Sequence, residues 1–168
     1  MNDQLGLIAI LGISYLLLSQ GNGCTYRGES TADLQDFKSN LYGVTFKYPS
    51  SWTQNLAYEE RYDGPGGFVE IAEIEAYGRP IDEVAKQETD TPIKPFGSNP
   101  KIIELELDGR PARIIVPSAD QNKVFERELA IIVKNKKPII EGQDFCDYTI
   151  IWTNKENLET ILNSFKFA

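Results

Sequence analysis

Residues 42–52 read YGVTFKYPSSW, and the architecture of the chain follows from how they are taken. Val44, Phe46 and Tyr48 stand two apart, so an extended backbone puts all three on one face while Thr45 and Lys47 turn outward. This spacing predicts a half-buried strand over Tyr42–Tyr48. Pro49 has no N–H to give a ladder and two serines follow it, so the strand stops there and leaves Trp52 at the margin of the same core. Residues 52–56 are placed to pair back on it.

Working outward, residues 58–67 (YEERYDGPGG) carry Asp-Gly, Pro and Gly-Gly and predict a loop. Residues 68–76 (FVEIAEIEA) predict a strand apolar on both faces, with Phe68, Ala72 and Ile74 on one side and Val69 and Ile71 on the other, as in the middle of a covered sheet. A short helix over Ile81–Lys86 follows, with Pro80 suited to its first turn, and then a Pro-rich irregular connection over residues 88–100.

The strongest local pattern is KIIELEL-DG-RPARIIV, residues 101–116. Alternating Ile103, Leu105 and Leu107, an Asp108-Gly109 turn, and returning Ala112, Ile114 and Val116 predict a hairpin with a type I′ turn. Residues 127–133 and 148–153 predict two further strands, separated by a turn at residues 135–137 and a polar stretch over residues 141–147. Thr153-Asn154-Lys155-Glu156 has capping-box spacing, and Leu158, Ile161, Leu162 and Phe165 behind it predict an amphipathic helix, with residues 164–167 finishing as a short strand.

Composition narrows the function classes. The 168 residues are 41% hydrophobic and 25% charged, which suits one globular domain. Histidine is absent, which removes the commonest general base and the commonest transition-metal ligand together. The net charge of -8, with no basic stripe, opposes binding to a phosphate backbone. No Gly-x-Ser-x-Gly elbow and no Gly-x-x-x-x-Gly-Lys loop occurs. The pairs Glu73/Glu75 and Glu104/Glu106 alternate along strands and read as solvated faces.

At the N-terminus, residues 5–18 (LGLIAILGISYLLL) are uncharged and have the length of a signal-peptide apolar core, short of a bilayer span. Small residues in Gly21-Asn22-Gly23 make cleavage ahead of Cys24 chemically reasonable, giving a signal peptide over residues 1–23. Cys24 then becomes the lipidated first residue of an exported, membrane-anchored protein facing the extracytoplasmic side, with residues 24–40 as a polar tether and residues 41–168 as the folded domain. Leu34, Phe37 and Leu41 are able to pack onto the domain as its entry arm. Two features depart from a lipoprotein leader: Gln20-Gly21 stand where an aliphatic residue is preferred, and Met1–Gln4 carry no Lys or Arg. An uncleaved anchor and a leader cut without lipidation remain open.

The chain's two cysteines are Cys24 and Cys146. Lipid on Cys24 excludes a disulfide between them and leaves Cys146 as a small buried thiol. Glu141, Asp144 and Asp147, with Glu59, Glu60 and Asp63 in the earlier loop, are the residues to consider for a hard cation such as calcium or manganese, which takes oxygen ligands from loops. The plainer reading of these acids is a solvated loop surface.

The run YGVTFKYPSSW, GGFVEIAEIEA, IDEVAK, LDGRPARIIV, RELAIIV, YTIIWT and ETILNSFKF resembles the PsbP-like family over residues 41–167. The resemblance implies an α+β fold, a central antiparallel sheet flanked by helices in an α/β/α sandwich, with structural rather than catalytic motifs. With the leader and the missing catalytic set, it points to a non-enzymatic binding or assembly module with a protein partner, a membrane contact through the lipid and no cofactor. The family also holds the extrinsic photosystem II subunit, so the alternative is an accessory subunit of that complex concerned with calcium or manganese retention.

Overall fold

A computed structural model describes residues 34–125, 128–141 and 144–168, the side chains of Glu141 and Asp144 excepted. It begins with β1 (Leu34–Ser39), antiparallel to β2 (Val44–Pro49). Residues Leu34–Ser39, assigned to a polar tether, are therefore a strand of the fold. Phe37 is the reason: it is buried and stacks on its register partner Phe46 with ring centroids 4.5 Å apart. Val44, Phe46 and Tyr48 point inward as the alternation requires, Lys47 is exposed, and the chain turns at Pro49 to bury Trp52.

Trp52 does not lead the chain back onto β2. β3 (Thr53–Gln54) joins a second sheet by pairing with β4 (Arg61–Gly64), so the predicted loop over residues 58–67 holds a four-residue strand ending in a tight turn. Ions hold it: Arg61 reaches Asp63 at 2.7 Å and Glu70 at 3.1 Å, and its guanidinium lies 4.1 Å from the Phe68 ring centroid. β4 pairs with β5 (Gly67–Ile74), after which α1 (Ile81–Thr89) begins, Pro80 standing as its N-cap rather than inside its first turn.

β6 (Lys101–Leu107) and β7 (Arg110–Val116) form the expected hairpin, with Leu107 opposite Arg110 and both turn residues at positive φ, Asp108 at 46° and Gly109 at 74°. β8 (Glu128–Glu141) and β9 (Asp144–Asn154) are much longer than expected. The turn placed at residues 135–137 is a bulge within β8, and in the polar stretch Glu141 pairs with Asp144 while residues 145–147 continue β9.

A 3₁₀ turn over Lys155–Asn157 leads into α2 (Leu158–Ser164), and β10 (Lys166–Phe167) closes the chain against β2. The capping box does not form, because the Thr153 hydroxyl donates instead to the Phe68 carbonyl at 2.7 Å.

The strands make two antiparallel sheets, β1-β2-β10 and β3-β4-β5-β9-β8-β7-β6. Across the large sheet the register aligns Ile71, Ile151, Ile131, Ile114 and Ile103 in one row. That face meets the small sheet and Leu158, Ile161, Leu162 and Phe165 in the main core. The opposite face, with Ile115, Ala130, Ile132, Tyr148 and Ile150, is covered by Ile81, Val84 and Ala85 of α1 and by Phe96. Arg113 points out of β7 on that second side and fixes the helix, its fork meeting both Asp82 oxygens at 2.7 and 3.2 Å. The α/β/α sandwich is corrected accordingly: the protein is sheet-dominated, and a three-stranded sheet together with α2 stands where one helical layer was expected. Among the described residues no helix is long and apolar enough to cross a membrane.

Candidate functional groove

The bulge in β8 borders an open concavity. Register partners jump from Lys134 with Tyr148 to Ile139 with Cys146, so residues 135–138 stand opposite Asp147 alone. Pro138 has no N–H to pair there. Asn135 fills the gap from inside: its amide donates to the Cys146 carbonyl at 3.1 Å and its oxygen accepts from the Thr149 hydroxyl at 2.8 Å. From outside, Arg110 donates to the carbonyls of Lys134 and Asn135. A bulge held by this many hydrogen bonds is a built feature.

Opposite it lie the β1–β2 turn and the end of the chain. Gly43 takes the left-handed conformation the turn needs, with φ 61°, and its carbonyl accepts the Ala168 amide at 2.8 Å. Asp108 staples the three parts together. Its carboxylate accepts the Phe167 amide at 3.1 Å, Lys136 at 3.1 Å and Lys166 at 3.5 Å. Between them runs a groove of about 560 Å³, lined on one side by Leu41 and Tyr42 and on the other by Lys136, Lys137, Ile139 and Ile140. Leu41 is 44% and Ile140 66% exposed, so its walls are apolar and wet while Lys136 and Lys137 line it with positive charge.

Titration behaviour follows from the same geometry. Burial, then Glu73 and the acids of the β3–β4 loop, push Tyr42 well above the ordinary phenol range, so it stays neutral. Partial burial works to raise Asp108, but the Phe167 amide and Lys136 prevail and hold it below the usual carboxylate range. The Arg113 fork lowers Asp82, and the Ser118 hydroxyl with Ser98 holds Asp120 at about 2. Burial raises Glu60 and Glu88, Glu59 adding to the effect at Glu60.

A lowered carboxyl stabilises the fold above its unfolded pKa and loses that contribution as pH falls through the folded value; a raised one has the opposite sign. We expect the urea midpoint to hold or rise slightly from neutral pH to about 5, then to fall between about pH 4 and 2. A midpoint that climbs through the acid range would refute this.

The acids singled out in the sequence do not gather at the groove. Glu141 and Asp144 are register partners at the end of the β8–β9 hairpin, and Asp147 stands opposite the bulge. Asp63 is taken up by Arg61 and by the Asn55 amide at 2.6 Å. Among the described residues no group of three or more His, Cys, Asp or Glu side chains is placed to hold a metal ion. Cys146 is buried in the main core, while Cys24 lies outside the described residues. The groove residues Leu41, Lys137 and Ile140 were missed. The available signal was Pro138 inside an otherwise strand-like run, which marks a bulge or an edge.

Comparison with solved structures shows a likeness. The solution structure of cyanobacterial PsbP (CyanoP) from Synechocystis sp. PCC 6803 aligns with 89% of this chain and 99% of its own, at 16% identity and a TM-score of 0.43. A likeness of that size carries no argument about this protein. No family model and no curated protein matches the chain.

Proposed function

We propose that the protein is a non-enzymatic binding or assembly module, held on the extracytoplasmic side of a membrane by lipid on Cys24. The observation that carries the binding role is the groove at the β8 bulge: an open, partly apolar concavity whose walls are fixed by Asp108, Arg110 and Asn135. Its volume falls within the roughly 300–1,000 Å³ usual for ligand sites. Strong polar side chains elsewhere are engaged in holding elements together, as Arg113 does for α1 and Arg61 for the β4–β5 hairpin. The anchor rests on the uncharged run over residues 5–18 and the small residues ahead of Cys24.

The test is metabolic labelling with palmitate, followed by fractionation. Label is expected in the membrane fraction of the wild type, and Cys24→Ser is expected to lose the label and shift the protein toward the soluble fraction or toward the uncut form. Equal labelling of both proteins would sink the anchor.

A further inference from the structure

We infer that the groove takes an extended, acidic segment of a partner protein, one apolar side chain entering between Leu41 and Ile140 and a carboxylate meeting Lys137. This deepens the binding-module reading and rests on it. Three observations point the same way.

The first is charge. The chain carries a net charge of -8, yet Lys136 and Lys137 both line this groove and Lys166 stands beside Asp108. Asp108 is shared by Lys136 and Lys166, whereas among the described residues Lys137 is paired with no acid. Glu73, Glu59 and Glu60 lie on the Tyr42 side, so the positive charge is confined to the β8 wall, where Lys136 and Lys137 stand. A segment carrying acids meets a complementary surface here and like charge over the chain as a whole, which favours this orientation of approach.

The second is backbone. Lys136 and Lys137 lie in an extended strand but have no partner in the β8–β9 register. A strand segment without a register partner can recruit another extended chain by main-chain hydrogen bonds, with alternate side chains read by adjacent pockets. Pro138 removes one donor and so limits such pairing to the residues before it.

The third is apolar surface. Leu41 and Ile140 flank the groove at 44% and 66% exposure, although Ile139 beside them is buried. Their place on opposite walls gives one side chain of the incoming segment a slot, with Phe167 at its side beneath the Lys136 ammonium, 5.0 Å from the ring centroid.

The experiment uses the full chain in nonionic detergent and a fluorescein-labelled, capped short peptide alternating aspartate and leucine, read by fluorescence polarisation. Saturable binding is expected, weakened roughly tenfold by Lys137→Glu and comparably by Ile140→Ser, the scale of one partly desolvated contact. Added salt should weaken it further, and a peptide alternating lysine and leucine should bind roughly tenfold less well. Leu56→Ser, at a site 88% exposed and outside the groove lining, should leave binding unchanged. Urea midpoints of all three variants should match the wild type, which separates lost binding from lost fold.

The inference is overturned if the two peptides bind alike, if neither groove variant changes the affinity, or if no binding is seen at millimolar peptide. It is equally overturned if the protein floats with anionic vesicles through Lys137 and Ile140 while ignoring the peptide. Any of these with palmitate labelling of Cys24 intact would remove the peptide groove and leave the lipid anchor standing.

Discussion

Phe46→Ala is expected to destabilise the protein by about 3–5 kcal/mol, measured as the change in unfolding free energy in urea. Phe46 is 1% exposed and its ring lies on Phe37 with only 14° between their planes. Truncation removes the face of that stack and opens a void between the small sheet and the large one. Neither wall closes easily: β2 is pinned by β1 on one side and β10 on the other, and the Lys47 amide is tied to the Ser164 hydroxyl at 2.8 Å. A gap that cannot collapse lies at the costly end of such substitutions. Phe145→Ala is the control. That ring is 57% exposed, so its loss should change stability by no more than about 0.5 kcal/mol. If the two variants unfold at the same midpoint, the main core is not organised around β2.

Gly67→Ala is expected to cost on the order of 2–5 kcal/mol, from backbone strain and a disrupted buried polar group together. Gly67 has φ 145°, and a Cβ placed there would run into the Asn154 side chain. Asn154 has no free direction in which to retreat. Its amide donates to the Gly66 carbonyl and to Glu156, both at 2.7 Å, and its oxygen accepts from Asn157 at 2.5 Å. Gly66 also has a positive φ, 86°, but open space where its Cβ would go. Gly66→Ala should therefore show the strain alone, about 1 kcal/mol. Equal losses at the two glycines would mean that the Asn154 corner yields and is not a rigid joint.

Much of the fold could be read from the sequence where a buried face imposes period two. The alternation in residues 101–116 and 148–153 survives because those strands pack an apolar side on a core, and Asp108-Gly109 supplies a turn whose positive φ values few other pairs accept. The stripe of α2 was legible for the same reason at a different period. β1 was not, since in LQDFKS only Phe37 and Ser39 are buried and the run looks like a polar linker. β4 was missed because its side chains are tied by ions, through Arg61, Asp63 and Glu70, and charge in a Gly-rich stretch reads as loop.

The length of the β8–β9 hairpin was hidden by Lys136-Lys137-Pro138, which imitate a turn. Nothing local announces that Asn135 will fill the gap behind them. The groove was illegible for a further reason: its walls come from residues 40–43, 135–140 and 167–168, which only the fold brings together. Acids chosen by charge alone led instead to the hairpin end and to ion pairs.

The first and last strands of the described chain both lie against β2, one on each side. Until Lys166 and Phe167 have been delivered, one flank of β2 has no neighbour and Val44 and Phe46 lack part of their cover, whatever has already formed between residues 53 and 154. Contacts this distant along the chain are slow to find and expose apolar surface while they wait. A polypeptide threaded across a membrane from its front end would thus spend the whole passage with its earliest hydrophobic strand incomplete, and would depend on a holding chaperone at the far side for that interval.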